Sequence, residues 1–343
     1  MKKKIVVFSN DSFYYQNKFL NYQNKNTQTI IDILNSKFHI HLISRKSLKK
    51  TTGKKKIKQI KMNEIKFLIK DIKKNKDLRF LFISITPFNF IYFILLKIFL
   101  VKKKQIFVFL RSDGFKEYQI KFSILGYWVY YLMYKLFSFG SNFLSCSRNF
   151  LHYKKENKIL LPSELDEFWF KKNKKIKLEN KIKILYIGRF RKEKGYEELV
   201  DMFKKAHKKI NNYNLSLTLV GDDKKKKIKE KNLKVIKYIN NVTKLRNLYD
   251  THQIFVLPSY TEGFPQVILE SLARKKPVIV FQEIKFLKKI YHDGLFVSKR
   301  NVISFTNTIK YIIKNYNKIL KDITKIKLIT KREYKKNLLL LIK

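Results

Sequence analysis

Short apolar runs alternate with amphipathic stretches through the first half of the chain. Such runs between polar segments are typical of buried strands, and apolar positions that recur every three or four residues are typical of helices. The predicted strands are 4–8, 39–44, 80–85, 105–110 and 142–146, and the predicted helices are 28–35, 88–101 and 121–139. Polar loops are expected at 9–12 and 111–116, and a basic loop or short strand at 51–61. Strands that alternate with helices predict a parallel sheet covered on both faces.

The second half repeats this alternation after an irregular segment at 161–170 and a charged run at 171–181, which we interpret as a linker. The predicted strands are 182–187, 216–220, 235–239, 254–257 and 277–280, and the predicted helices are 196–210, 242–249 and 265–274. We therefore expect an α/β protein of two doubly wound Rossmann-like domains, residues 1–165 and 181–320, that face a central cleft. A basic helix is expected over 321–343. Doubly wound sheets bind ligands at the carboxyl ends of their strands.

The chain of 343 residues is strongly basic, with 77 Lys and Arg against 26 Asp and Glu and a formal net charge of +51. This excess is typical of proteins that bind nucleic acid, a membrane surface or an acidic substrate. Lys, Ile, Asn and Phe are abundant and Gly and Pro are scarce, a composition that codon usage in a genome rich in A and T also produces. Both explanations stay open.

One apolar segment, 79–101, approaches the length of a membrane-spanning helix. Pro87 and Asn89 interrupt it and Lys97 lies inside it, so a buried strand, a turn and a helix explain it better. Aromatic residues crowd this segment and also 124–139, which is typical of helices that lie in a membrane interface. Ordinary core helices are the alternative for both.

Two features bear on the compartment. The apolar run at 5–8 is too short for the core of a signal peptide. Cys146 is the single cysteine, so an internal disulfide and a cysteine-based zinc site are excluded. We expect a cytoplasmic protein, with peripheral contact at the inner face of an anionic cytoplasmic membrane.

The most informative stretch is 254–279, in which a buried strand and a polar loop lead into a helix. Pro265 stands where the first helical residue is expected, because its fixed φ and missing N–H suit that position. The backbone N–H groups of Gly263, Phe264 and the following residues then form an anion site together with the helix dipole.

Two carboxylates bracket this helix start, Glu262 in the loop and Glu270 in the helix. Both can point into one crevice, where carboxylates accept hydrogen bonds from the hydroxyls of a hexose and a ribose. The alternative for each is a surface residue that stabilises the helix dipole.

A second motif, GRFRKEKG at 188–195, follows directly on a predicted strand. The strand runs directly into Gly188 and Arg189, and the cations Arg189 and Lys194 at the head of a parallel strand suit a diphosphate. The alternative is a solvated loop in a Lys-rich protein. The motif is neither a GxGxxG fingerprint nor a P-loop.

In combination, these motifs resemble the C-terminal domain of retaining family 4 glycosyltransferases, also called group 1, which have the GT-B fold. The resemblance covers about residues 181–313. The matching segments, in the order found in that family, are GRFRKEKG, LTLVGDD (217–223), PSYTEGFPQVILESLARKKPVIV (258–280) and HDGLFV (292–297).

The resemblance implies a role for each matching residue. Arg189 and Lys194 would hold the diphosphate of a nucleotide-diphosphate sugar, and Glu262 would contact its sugar. The backbone of Gly263, Phe264 and Pro265 would meet sugar and phosphate, and Glu270 would bind the ribose hydroxyls.

Three departures concern the rest of the chain. Ser9 to Ser12 replace the family's glycine-rich loop after the first strand, Asn240 and Asn241 replace a usual glycine, and LPSELDEF replaces the usual linker. Asp113 follows a predicted strand where the family often has a His or Asp that faces the sugar. A simple turn aspartate is its alternative.

We therefore expect a glycosyltransferase that moves a sugar, with retention and without a bound metal or cofactor, from a UDP- or GDP-sugar. The expected acceptor is a glycan or lipid-linked saccharide in surface polysaccharide or lipopolysaccharide biosynthesis. One alternative is a basic nucleic-acid-binding protein, but we find no zinc finger, RNP-like motif or basic heptad region and expect no nucleic-acid partner. The other is an inactive GT-B relative.

Overall fold

The computed structural model describes residues 3–16, 19–22, 25–46, 65–75, 77–151, 158–171, 178–222 and 231–342. Two compact units make up the chain: Met1–Glu164 together with Lys331–Lys343, and Leu165–Thr330. The basic segment expected at 51–61 and most of the charged run at 171–181 lie outside the described residues.

The first unit contains a sheet of mostly short strands with helices between them. Its strands are β1 (Lys3–Gln16), β2 (Phe19–Tyr22), β3 (Phe38–Lys46), β4 (Arg79–Ile83), β5 (Ile106–Leu110), β6 (Asn142–Ser145) and β7 (Lys158–Ile159). The helices between them are α1 (Lys25–Asn35), α2 (Ile65–Lys74), α3 (Pro87–Ile98) and α4 (Gly114–Gly140).

The strand order of this sheet is β2-β1-β4-β5-β6-β7, with β3 paired to β1. Every pair is parallel except the hairpin of β1 and β2. Strand β5 is buried along its whole length, because helices cover both faces of a parallel sheet. Aromatic packing fills the core, and Phe8 stacks on Phe82 with ring centroids 4.3 Å apart.

The prediction of a loop at 9–12 is wrong, because β1 continues through these residues. The register of β1 against β3 shifts between Ser9 and Ser12, which marks a bulge that absorbs the irregularity. Within the bulge the Ser9 hydroxyl lies 3.3 Å from Asp11 Oδ2. The bulge therefore accommodates Asn10 and Asp11, which the register between β1 and β3 skips, within the strand.

Side-chain caps fix the start of both apolar helices. Thr86 accepts a hydrogen bond from Asn89 N at 3.2 Å in front of α3, whose first residue is Pro87. Helix α4 bends at Phe122 and Ser123, where the backbone dihedral angles leave helical values.

None of the helices in the described ranges is both long and apolar enough to cross a membrane.

The second unit repeats the alternating pattern. Its strands are β8 (Lys181–Ile187), β9 (Asn214–Gly221), β10 (Leu233–Lys237), β11 (Ile254–Leu257), β12 (Val278–Phe281) and β13 (Leu295–Ser298). Its helices are α5 (Glu167–Phe170), α6 (Tyr196–His207), α7 (Val242–Asp250), α8 (Gln266–Ala273), α9 (Lys288–Tyr291), α10 (Val302–Lys314) and α11 (Tyr316–Ile323).

The second sheet is wholly parallel, in the order β10-β9-β8-β11-β12-β13. The predicted α/β class with two doubly wound units is therefore confirmed. The chain order reverses between β8 and β11, which pair directly through Ile184 and Ile254. The loops after these two strands consequently leave the sheet side by side, at the position where doubly wound folds bind ligands.

The basic helix expected over 321–343 is also corrected. Helix α11 ends at Ile323, and a separate helix, α12 (Lys331–Ile342), follows and belongs to the first unit. Tyr334, Leu338 and Ile342 are buried at intervals of four residues, so α12 is held by an apolar face despite its lysines.

Candidate functional site

Two loops define the candidate site, 188–195 after β8 and 258–265 after β11. A backbone hydrogen bond joins them, in which Tyr260 N donates to Glu193 O at 3.0 Å. Gly195 lies between the first loop and α6 with φ +62°, and a Cβ there would overlap the Pro258 carbonyl oxygen. Only glycine combines this backbone conformation with so close an approach of the two loops.

The charged centre of these loops is an ion pair. Lys194 Nζ lies 2.6 Å from Glu262 Oε1, and the two side chains are only 17% and 12% exposed. Ser259 donates its hydroxyl to the same oxygen at 2.6 Å. Glu262 Oε2 makes no hydrogen bond to a described residue, so it can accept one from a ligand hydroxyl.

Arg300 holds the second loop in place, a role that the sequence motifs did not indicate. It donates to Pro258 O at 2.9 Å and to Glu283 Oε1 at 2.8 Å. Its guanidinium also lies 3.9 Å from the ring centroid of Tyr260. One signal was present in the sequence: Arg300 follows the strand β13, and the ends of parallel strands meet at one edge of a sheet.

Gly188 and Arg189 occupy the end of β8. Tyr186 donates its hydroxyl to Arg189 O at 3.1 Å, and a Cβ on Gly188 would lie 2.6 Å from that hydroxyl. Burial, and then the carboxylates of Glu262 and Asp222, raise the pKa of Tyr186, so its hydroxyl stays a donor. The Arg189 side chain is exposed and makes no hydrogen bond or ion pair with the described part of the chain. It is therefore available to an anionic ligand.

The helix expected to begin at Pro265 begins one residue later. Pro265 occupies the N-cap position with φ −71° and ψ 118°, and Gln266 is the first residue of α8. Gly263 and Phe264 are buried, and the Phe264 ring lies 6.0 Å from that of Tyr291. These contacts fix the direction in which the loop enters α8. The first turn of α8 then has backbone N–H groups without partners within the helix, as at any helix start.

Glu270 lies in α8, where Tyr249 of α7 donates a hydrogen bond to its Oε2 at 2.9 Å. Burial, and then Glu270 itself, raise the pKa of Tyr249. The hydroxyl of Tyr249 also lies 3.3 Å from Val267 O. Tyr249 thus fixes the direction of the Glu270 carboxylate, a function that sequence reasoning missed because no spacing links α7 to α8.

Asp113 belongs to the first unit, whereas the other predicted site residues belong to the second. It is buried at the N-cap of α4 and accepts a hydrogen bond from Lys116 N at 3.3 Å. Its structural function is therefore that of a helix cap. Within the described ranges, no group of three His, Cys, Asp or Glu side chains is arranged to hold a metal ion.

Part of the sequence of the second unit is similar to known glycosyltransferases. Residues 167–327 match the family described as glycosyl transferases group 1. An uncharacterised glycosyltransferase of Haemophilus influenzae is 28% identical over 151 residues, which are 42% of this chain and 42% of that protein. The capsular polysaccharide biosynthesis glycosyltransferase CapM of Staphylococcus aureus is 28% identical over 179 residues, 45% of this chain and 47% of its own length. These matches thus span less than half of each relative.

The fold of the whole chain also has a counterpart among solved structures. Anabaena HepE, in complex with UDP and glucose, superposes with a TM-score of 0.68 at 13% identity and covers 99% of both chains. At this identity the similarity concerns the fold alone. The chain therefore has the GT-B fold, and its residues 167–327 match the glycosyl transferases group 1 family.

Proposed function

We propose that the chain is a glycosyltransferase that moves a sugar from a nucleotide-diphosphate sugar to a glycan or lipid-linked acceptor. The observation that carries the proposal is the Lys194–Glu262 pair between the loops that follow β8 and β11. A cation and a carboxylate held together at this edge of a doubly wound sheet suit a ligand with phosphates and hydroxyls.

The diphosphate of the donor lies against the cationic side of this site. Lys194 is held in place by Glu262, whereas Arg189 is exposed and reaches the phosphates from the end of β8. The start of α8 adds the positive end of a helix dipole. These groups stabilise the negative charge that develops on the leaving diphosphate, which is the main electrostatic task in glycosyl transfer.

The hydroxyls of the donor meet the carboxylates. Glu262 accepts from the sugar through Oε2, since Oε1 is occupied by Lys194 and Ser259. Glu270, oriented by Tyr249, accepts from the ribose hydroxyls. The backbone of Gly263, Phe264 and Pro265 contacts sugar and phosphate, as in the family that the motifs resemble.

In the proposed reaction the bond from the anomeric carbon to the diphosphate oxygen breaks, and the acceptor oxygen bonds to the same face of the sugar. The proton of the acceptor hydroxyl leaves with the diphosphate. The cations Arg189 and Lys194 serve the leaving group, so the reaction needs no bound metal or cofactor. Asp113 is retained as the candidate residue of the first unit for contact with the sugar.

The biological setting is proposed from the relatives. CapM is named for capsular polysaccharide biosynthesis. We infer that this chain acts in surface polysaccharide or lipopolysaccharide biosynthesis, on the cytoplasmic side of the membrane where nucleotide sugars are made.

A donor screen tests the function. A panel of UDP-, GDP- and ADP-sugars is added to the protein, and the shift in melting temperature is recorded, since a ligand of the native state raises it. The donor that binds is then tested for transfer with and without EDTA, and the anomeric configuration of the product is read by NMR. Lys192→Ala, an exposed change beside the site, is the control for Lys194→Ala. No binding and no turnover with any donor would exclude the proposed function.

A further inference from the structure

One side of α4 is apolar and exposed. Leu125 and Phe139 are each 71% exposed, and Trp128 and Leu132 are each 58% exposed. At 100° per residue, the exposed apolar side chains beyond the bend of α4 share one arc of the helix: Ile124, Leu125, Trp128, Val129, Leu132, Leu136 and Phe139. We call this arc the outer face of α4.

The opposite side of α4 forms part of the core. Tyr130, Met133, Tyr134 and Phe137 are buried there. A helix that is apolar on both sides is expected to be covered on both sides. No described part of the chain covers the outer face, so its side chains meet either water or another surface.

Helix α3 extends this apolar surface. It packs beside α4, and the rings of Phe93 and Phe137 lie 4.1 Å apart. Ile91, Ile94 and Ile98 of α3 are exposed. Leu100, just after the helix, is 86% exposed and has a φ of +53°, which is costly for a leucine. Clusters of exposed apolar side chains on neighbouring helices are unusual for a soluble monomer.

Basic side chains outnumber acidic ones around these helices. Between residues 79 and 140 the acidic side chains are Asp113 and Glu117, and Asp113 is buried as a helix cap. The exposed lysines of the same segment are Lys102, Lys103, Lys104, Lys116, Lys121 and Lys135. Lys135 also falls on the arc of the outer face, between Ile124 and Trp128. An apolar surface edged by lysines complements an anionic, hydrocarbon-containing surface.

We propose that the outer face of α4, with the exposed side of α3, inserts into the surface of a lipid bilayer that contains anionic lipids. Trp128 and Phe139 enter the boundary between headgroups and acyl chains, where aromatic side chains are most stable. The lysines contact the anionic headgroups. The proposed membrane binding needs no sugar donor, so it can be tested independently of the proposed transfer reaction.

Trp128 is a natural reporter for the test. The chain has two tryptophans, and the other, Trp169, is buried at 4% exposure. Full-length protein is mixed with vesicles of phosphatidylcholine, with and without phosphatidylglycerol, whose acyl chains carry bromine as a quencher. We expect quenching that depends on phosphatidylglycerol in the wild type and is absent in the control Trp128→Phe. No quenching, or equal quenching in both proteins, would overturn the proposal.

Sedimentation with the same vesicles separates the outer face from other apolar residues. Leu125→Glu and Leu132→Glu are each expected to weaken binding at least tenfold, whereas Ile303→Glu, at a 66% exposed position of α10, leaves it unchanged. Circular dichroism confirms folding of each variant. If the wild type instead dimerises without lipid, and the dimer shields Trp128 from acrylamide, a second copy covers the face and the lipid proposal is wrong.

Discussion

Lys194 Nζ and Glu262 Oε1 are 2.6 Å apart, although 68 positions separate the two residues in the sequence. The pairing of β8 with β11 brings their loops together. Because Ser259 donates to the same carboxylate oxygen, the three side chains form one hydrogen-bonded cluster, and their contributions to activity are not independent.

The first prediction concerns this cluster of Lys194, Ser259 and Glu262. Lys194→Ala and Glu262→Ala are each expected to lower kcat by about 10²-fold, because each removes charge or its positioning at the leaving group. The double variant is expected to lose much less than the product of the two effects. Initial rates with the donor found in the screen measure this, with Lys192→Ala as the control. Multiplicative losses would show that the two residues act separately.

The second prediction separates Arg189 from its neighbour. Arg189→Ala is expected to reduce turnover about tenfold or more, because its exposed guanidinium has no hydrogen-bond or ion-pair partner among the described residues and can bind phosphate. Arg191→Ala is the matched control, since Arg191 is also exposed and lies 3.9 Å from Glu193. Equal kinetics for the two variants would exclude Arg189 from the donor site.

The third prediction concerns the ribose. Glu270→Ala is expected to abolish the thermal shift caused by the donor, because the carboxylate that accepts from the hydroxyls is lost. Tyr249→Phe keeps the carboxylate but removes its hydrogen bond of 2.9 Å. We expect this variant to weaken donor binding by a smaller factor, about five- to tenfold for a lost hydrogen bond. Calorimetric titration measures both, and full affinity in Glu270→Ala would contradict the assignment.

The fourth prediction distinguishes the two functions considered for Asp113. As an N-cap, Asp113 can be replaced by Asn without loss of stability, whereas Asp113→Ala costs about 1 kcal/mol. If the carboxylate also contacts the sugar, Asp113→Asn retains stability and loses turnover. Urea unfolding and initial rates on both variants test this. Full activity in Asp113→Asn would leave capping as the residue's function.

The fifth prediction concerns acid stability. Burial lowers the pKa of His252 to about 4, and the ring lies 2.7 Å from Leu248 O and 2.8 Å from Thr218 Oγ1. Between pH 6.5 and 4 the unfolded chain therefore binds a proton that the folded protein does not, so stability is lost as the pH falls through this window. The shift corresponds to about 3 kcal/mol.

Urea unfolding of the wild type and His252→Gln between pH 7 and 4 measures this contribution. The variant lacks the titrating group, and groups common to both proteins cancel in the difference. We expect the stability advantage of the wild type to shrink by about 3 kcal/mol over the range. A constant difference would show that His252 does not control the acid response.

The sequence predicted the strands best where continuous apolar runs leave no alternative to burial. The run that forms β5 is buried at every position. The loop at 9–12 was predicted wrongly because Ser, Asn and Asp favour turns locally, while the pairing of β1 with β3 is a tertiary contact that overrides this preference. The basic helix expected over 321–343 is found only from Lys331 onward, where Tyr334, Leu338 and Ile342 show helical spacing.

For the candidate site, the motifs indicated residue types and spacing but not partners. Lys194 and Glu262 were both selected from the sequence, yet their contact depends on strand order, which no local pattern contains. Arg300 and Tyr249 were missed for the same reason, since each acts on a loop or helix distant in the chain. Both residues act by positioning another group, and this positioning can be recognised only once the three-dimensional fold is known.

The return of α12 to the first unit has a consequence during synthesis. The ribosome makes the whole of Leu165–Thr330 before it reaches Lys331. The apolar surface of the first unit that receives Tyr334 and Leu338 therefore stays exposed during this time. The later unit is continuous in sequence and can fold while it emerges, whereas the earlier one reaches its final packing last. Nascent chains halted before α12 would therefore carry a finished second unit beside an incomplete first one.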